Sequence, residues 1–285
     1  MATGLTVAFL GMDGIGKSTL CRAFEERMRA AGQEVVTIAW RSVLPQADAP
    51  WPAVALQQLW LETFRCLYGG GLRGGERIDL PRDYPSWEAG GHEKELAAEP
   101  VHENSAAGAL AAAFVEIAGN VILASEVAGP ALRRGAVVVQ ESYPLKHVLK
   151  ELMVARRLAD AQDGDRTAEL TEFLYDALTS VFGSALLQPD VGILIDGRAA
   201  DAYRWRTAQK GAIGALEDYG PAGERSEDSF LTMQEETAGV FRAVTEKWGW
   251  IRHEVDDSGV EANTARALGA LLAHPRIAER LAEGR

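Results

Sequence analysis

Cysteine is nearly absent, and the little there is excludes two chemistries. The 285 residues hold only Cys21 and Cys66. Their spacing fits neither a disulfide framework nor a metal site, and Cys21 falls in a helical pattern as a small core residue. The five histidines, His92, His102, His147, His253 and His274, show no metal-ligand spacing either. Positive charge is in short supply: 29 Lys and Arg stand against 41 Asp and Glu, a formal net charge of −12. No Lys/Arg-rich block occurs, so the electrostatic footprint of a nucleic-acid polymer is missing, although a local basic cluster could hold a small anion. No apolar run reaches the length of a membrane span, and the N-terminus lacks the basic region and cleavage site of a leader. These absences predict a cytoplasmic chain with no membrane partner. There is no internal repeat. Apolar residues make up 47% and charged residues 25%, an ordinary globular balance. The length allows one large domain, or one domain with an insertion.

The residues that are there centre on Gly11-Met12-Asp13-Gly14-Ile15-Gly16-Lys17-Ser18-Thr19. This stretch fits the phosphate-loop pattern G-x-x-x-x-G-K-[ST]. Its context fits as well. Leu5 to Leu10 is an apolar run of buried-strand length. After the loop, Leu20, Phe24 and Met28 recur at helical spacing, and Gly32 supplies a stop. Strand, glycine loop and helix let backbone N–H groups converge on phosphate oxygens, with the helix dipole adding to the field. In this arrangement Gly11, Asp13, Gly14, Ile15, Gly16, Lys17, Ser18 and Thr19 form the nucleotide cradle. Lys17 reaches the β- and γ-phosphates and the Ser18 hydroxyl ligates Mg²⁺.

Strand-like and helical patterns alternate along the rest of the chain. Further strands are expected at Glu34–Trp40, Ala136–Gln140, Val191–Asp196 and Ile251–Val255. A helical, Ala-rich stretch runs from Ala106 to Arg133, with an interruption expected near Gly119 or Gly129. Residues 42–103 are the least regular. They contain one helical pattern (Leu56, Leu59, Trp60, Phe64, Leu67) and a glycine-rich stretch at 69–75 that reads as flexible. Strands separated by helices imply an α/β fold, a five-stranded parallel sheet with helices on both faces. Ligands of such sheets sit at the carboxyl ends of the strands. The phosphate loop, Arg41, Glu141, Asp196 and the loop after Val255 then share one rim. There Glu141 could orient an acceptor hydroxyl, take its proton, or hold Mg²⁺ through water.

With these pieces in order, the chain resembles the thymidylate kinase family of P-loop nucleoside monophosphate kinases. The resemblance is carried by Phe9 to Leu20, with an acidic residue, Asp13, inside the loop. Pro189 to Asp196 is similar to the family's strand leading to its lid, and Glu254 to Ser258 to its last strand and adenine-side loop. The resemblance implies one P-loop kinase domain over residues 1–285. Residues 42–103 would be an acceptor-side insertion and 199–228 the lid. It also implies ATP and Mg²⁺, a small-molecule phosphoryl acceptor and a homodimer. Arg204, Arg206, Lys210 and Arg225 fall in the lid, where cations would stabilise the transferring phosphoryl group. Arg204 and Arg206 are the first candidates, but their i, i+2 spacing keeps both from one helix face. Asp13 and Glu141 would face the acceptor, with Arg41 as an acceptor contact; Tyr143 could equally stack on an acceptor ring or pack in the core, and Asp196 could help position the metal or the lid.

The departures from the family are informative. Where the family carries Asp-Arg-Tyr, this chain reads Glu141-Ser142-Tyr143, and the helix before that strand, Ala113 to Asn120, has no arginine. Two cationic contacts to an acceptor phosphate are missing, which tilts the expectation toward an acceptor other than thymidylate. A thymidylate kinase with relocated cations and a P-loop ATPase or switch stay open. A GTPase is disfavoured: there is no Asn-Lys-x-Asp, and Asp-x-x-Gly occurs only at Asp256 to Gly259, too late in the chain.

Overall fold

The computed structural model describes residues 4–39, 44, 51–162 and 166–283. Arg41 lies outside them. The chain opens with β1 (Leu5–Gly11), the glycine loop, α1 (Lys17–Ala30) and β2 (Val35–Ile38). Next come α2 (Ala53–Tyr68), a hairpin of β3 (Leu72–Arg73) and β4 (Glu76–Arg77), and the short helices α3 (Tyr84–Gly90) and α4 (His92–Leu96). A long helical stretch follows: α5 (Ala106–Ile122), a π-helical segment at Leu123–Ala128, and α6 (Gly129–Arg133). Then come β5 (Val137–Gln140), α7 (Leu145–Asp160), α8 (Ala168–Phe182) and β6 (Val191–Asp196). The last elements are α9 (Ala199–Lys210), α10 (Glu227–Lys247), β7 (Ile251–Glu254), α11 (Val260–Leu272) and α12 (Pro275–Glu283).

The main sheet has five strands in the order β2-β5-β1-β6-β7, all paired in parallel. β1 is central, which explains why it is apolar along its whole length. Its side chains alternate between two cores. Leu5, Val7 and Phe9 pack with α1 and α11 on one face; Ala8 and Leu10 face the layer built from α5, α7 and α8. Each large side chain so buried stabilises the fold by about 1.5–3 kcal/mol. The order reverses around β1, so the crevice at the carboxyl ends of β1, β5 and β6 is where this topology seats a ligand.

Two expectations need correction and one is met in part. The stretch at 69–75 is no slack connector: it is the β3–β4 hairpin, turned by Gly74 and Gly75 at φ 58° and 85°. The helix from Ala106 to Arg133 runs on through Gly119, and its α-helical pattern is interrupted by the π-helical segment Leu123–Ala128, which ends against Gly129, one of the two places expected. That helix spans 28 residues and holds an 18-residue window of mean hydropathy 1.8, so it is also long and apolar enough to cross a membrane by length and composition. Half of that window is buried inside the fold, and its buried face belongs to the core shared with α2 and α7.

Candidate active site

The glycine loop is shaped to receive an anion. Gly16 caps α1 in the left-handed region (φ 96°) with no side-chain cap, and the first turn carries no acidic residue. The N–H groups at this helix end are thus left to a ligand, with the positive end of the dipole behind them. A Cβ on Gly14 would come within 2.3 Å of the Ala202 carbonyl, so the loop presses directly against α9. Lys17 is buried and folded back, donating to the Gly11 carbonyl at 2.9 Å and the Met12 carbonyl at 2.6 Å. Burial, reinforced by the Lys146 charge, holds the Lys17 ammonium well below its ordinary pKa. A bound phosphate supplies the negative charge this group lacks.

Asp13 sits in the middle of this arrangement. Its backbone N–H donates to Gln234 Oε1 at 3.0 Å, which ties the loop to α10. Its carboxylate is clamped by the ammonium groups of Lys146 and Lys150, one turn apart on α7. Burial alone would raise the Asp13 pKa, but Lys146, Lys150 and Lys17 together hold it well below the usual carboxylate range. The clamp leaves one net positive charge under the loop. Arg206 adds another cation and is itself held by Glu217 through two hydrogen bonds, Nε to Oε2 at 2.7 Å and Nη2 to Oε1.

Asp13, Lys17, Lys146, Arg206 and Glu217 line a cavity of about 500 Å³, together with Ser18 and Lys210. Trp60 and Phe64 of α2, Glu116 of α5, Glu141 and His147 line the same cavity. Trp60 also borders a neighbouring cavity with Arg206 and Lys210. A second cavity of about 360 Å³ lies behind the loop, between Trp205 of α9 and Asn263 and Ala267 of α11, with Val255 on its wall. It is mostly apolar and adjoins Gly16 and Thr19, which suits a flat heteroaromatic base next to a phosphate chain.

No protein-family model and no curated protein matches the chain. Among solved structures it is similar to thymidylate kinase from Candida albicans, at 12% identity and a TM-score of 0.57, over 99% of this chain and 95% of that one. The fold is that of a P-loop kinase. Identity this low shows the fold alone, so the chemistry has to be argued from the side chains.

Several of those differ from expectation. Tyr143 cannot stack on an acceptor: it is fully buried, its hydroxyl donates to the Phe182 carbonyl at 2.7 Å, and its ring packs edge-on against Trp250. Asp196 does not serve a metal. Arg242 grips it from Nε at 2.8 Å and Nη2 at 3.0 Å, Arg252 adds a contact at 2.7 Å, and it faces a different cavity. Arg204 turns away from the loop, with its side chain 64% exposed and paired to Asp201. Arg206 and Glu141 do reach the main cavity. Arg41 is not among the described residues.

Lys146, Lys150, Glu116 and Glu151 did not stand out in the sequence. All four are buried. A signal was there: Lys146 and Lys150 are spaced i, i+4 in a helix whose apolar residues leave no room for a wide polar face.

Proposed function

We propose that this chain is a cytoplasmic phosphotransferase that moves the γ-phosphoryl group of ATP onto a small-molecule acceptor. One observation carries the reading: a single cavity joins the phosphate loop, Lys17 and Arg206 to a walled chamber containing a carboxylate, Glu141, that can take a proton. A hydrolase needs only room for water beside the phosphates, whereas this chamber is large enough for an organic molecule.

In this reading the triphosphate lies along the loop, with its base in the cavity under Trp205. Lys17 swings from the Gly11 and Met12 carbonyls to the β- and γ-phosphates. The acceptor's hydroxyl oxygen bonds to the γ-phosphorus, the bond to the β–γ bridging oxygen breaks, and ADP departs with that electron pair. The hydroxyl proton passes to Glu141 and on to solvent. Charge building on the transferring group is met by Lys17 and Arg206. The exposed Ser18 hydroxyl, on the cavity lip beside Glu141, fits the protein's share of a Mg²⁺ site, and the metal would neutralise phosphate charge when bound. Residues 42–103 act as the acceptor-side lobe and 199–228 as the lid. A homodimer belongs to the same proposal.

A second reading, a thymidylate kinase with relocated cations, is favoured by Lys146, a cation on the acceptor cavity where the sequence lacks an arginine. Rates of ADP release from Mg²⁺-ATP separate the readings. The panel holds thymidylate, nucleosides, amino alcohols and sugars, with Lys17→Ala as control. The proposal expects acceptor-dependent release, cut by about 10²–10³-fold in the control. Fastest turnover with thymidylate selects the second reading, and acceptor-independent release overturns both.

A further inference from the structure

Gln234 lies on the buried face of α10, beside Phe230, Met233 and Phe241, and is itself fully buried. Two threonines on that face, Thr237 and Thr245, bond back to carbonyls of their own helix. Gln234 instead reaches two other segments with the two ends of its amide. Its Oε1 accepts from the Asp13 N–H at 3.0 Å, and its Nε2 donates to the Glu217 carbonyl at 2.8 Å. A buried amide is costly unless both ends are bonded, so Gln234 keeps these two backbone segments at a fixed separation. Lys150 makes a second bridge between the same segments. Its ammonium bonds the Asp13 carboxylate and donates to the Leu216 carbonyl at 3.2 Å.

Glu217 carries the tie onward to the cation. Its Oε2 accepts from Arg206 Nε at 2.7 Å and from the Gly214 N–H at 2.9 Å, and its Oε1 accepts from Arg206 Nη2. A two-bond fork of this kind fixes direction as well as distance. The root of Arg206 rests on the phosphate loop: a Cβ on Gly14 would come within 3.0 Å of the Arg206 Cβ. The loop therefore sets where this side chain starts, and Glu217 sets where its guanidinium points.

We propose that Gln234 is a positioning residue for phosphoryl transfer, which sets the Arg206 guanidinium relative to the phosphate loop through Glu217. The inference rests on the reading above, in which Arg206 meets the charge of the transferring group. Gln234 does not line the cavity that holds Lys17 and Arg206, so its effect runs through geometry. Phosphoryl transfer asks the protein mainly to place charge, and a misplacement of about 1 Å costs on the order of 10²-fold in rate. Holding the triphosphate depends instead on the loop amides and Lys17, so nucleotide binding is the less sensitive quantity.

The test is a double-mutant cycle between Gln234→Met and Arg206→Met, with Glu217→Gln as a second way to loosen the guanidinium. Gln234→Met keeps the length of the side chain and removes both bonds. Calorimetric binding of a non-hydrolysable ATP analogue shows which variants are folded. In the otherwise native chain, Gln234→Met is expected to lower kcat by about 10–10²-fold while KM for ATP moves by less than about threefold. In the Arg206→Met background the same change is expected to lower kcat by less than about threefold, because no guanidinium is left to aim. Glu217→Gln is expected to show the same split, in kcat and not in KM. Equal factors in the two backgrounds, or a rise in KM that accounts for the loss, would mark a structural role and overturn the inference. If Gln234→Met does not fold, Glu217→Gln decides, and an unchanged kcat there overturns it. A readout free of turnover is the Arg206 Nε–H resonance, assigned by its loss in Arg206→Lys. Gln234→Met is expected to shift it with the analogue bound, and an unchanged resonance overturns the inference. Acceptor-independent ADP release would remove the kinase reading, while the same cycle measured on hydrolysis would still judge the tie between Gln234 and Arg206.

Discussion

Two buried carboxylates in this molecule have opposite fates, and each predicts a measurable pH dependence. Asp13 is held by Lys146, Lys150 and Lys17, which outweigh its burial and keep its pKa depressed. Its contribution to stability is therefore full above the unfolded value of about 3.9 and is lost as pH falls through the lower folded value. Lys150→Met leaves that carboxylate half compensated in the interior. The expected cost is about 3–5 kcal/mol in denaturant unfolding, partly recovered by adding Asp13→Asn. Glu151 has a raised pKa, from burial and then from Glu116. From about pH 4.3 upward the folded chain holds a proton that the unfolded chain releases, so stability falls with rising pH until the folded pKa is passed. Glu151→Gln should remove that fall and make the protein more stable at neutral pH by about 1–3 kcal/mol. A variant less stable than wild type at neutral pH would show that Glu151 has a structural partner.

At the scale of elements, α7 carries more of the site than any stretch except the glycine loop. It delivers Lys146 and Lys150 to Asp13, and Glu151 and His147 to the acceptor chamber, while Val148, Leu149 and Leu152 anchor it in the core. Its helical spacing was plain in the sequence, but its function was not. Lysine and glutamate are almost always on the surface, and only the tertiary neighbours of α7, the loop on one side and α5 on the other, bury them. Tyr143 misleads in the opposite sense. It follows a rim residue in sequence, yet its ring turns into the core toward Phe182 and Trp250. Tyr143→Phe should cost about 1–2 kcal/mol of stability, for one lost buried hydrogen-bond donor, and leave acceptor KM unchanged. α9 presents Trp205 to the cavity behind the loop. Trp205→Ala should raise KM for ATP by about tenfold with a smaller effect on KM for the acceptor, measured by varying each in turn.

For the whole molecule, the division of labour follows the sheet. Alternating strand and helix patterns made the parallel sheet legible, and the glycine loop located its active rim, because both signals are local in sequence. The acceptor chamber was illegible for the converse reason. Its walls come from α2, α5 and α7, whose residues meet only after folding, and residues 42–103 carry no motif. The missing arginines were visible, but the lysines serving the loop and the carboxylates opposite were not. The strand-end aspartate Asp196 shows the same limit: its position suggested a metal, while Arg242 and Arg252, distant in sequence, claim it. The central claim is that phosphoryl transfer ends on an organic acceptor. Its most direct test follows the γ-phosphoryl label of Mg²⁺-ATP in the presence of a panel of hydroxyl-bearing acceptors. The account predicts label on the acceptor, seen as one added phosphoryl group by mass spectrometry and lost in Lys17→Ala. Label appearing only as inorganic phosphate, at a rate indifferent to every acceptor, would contradict it.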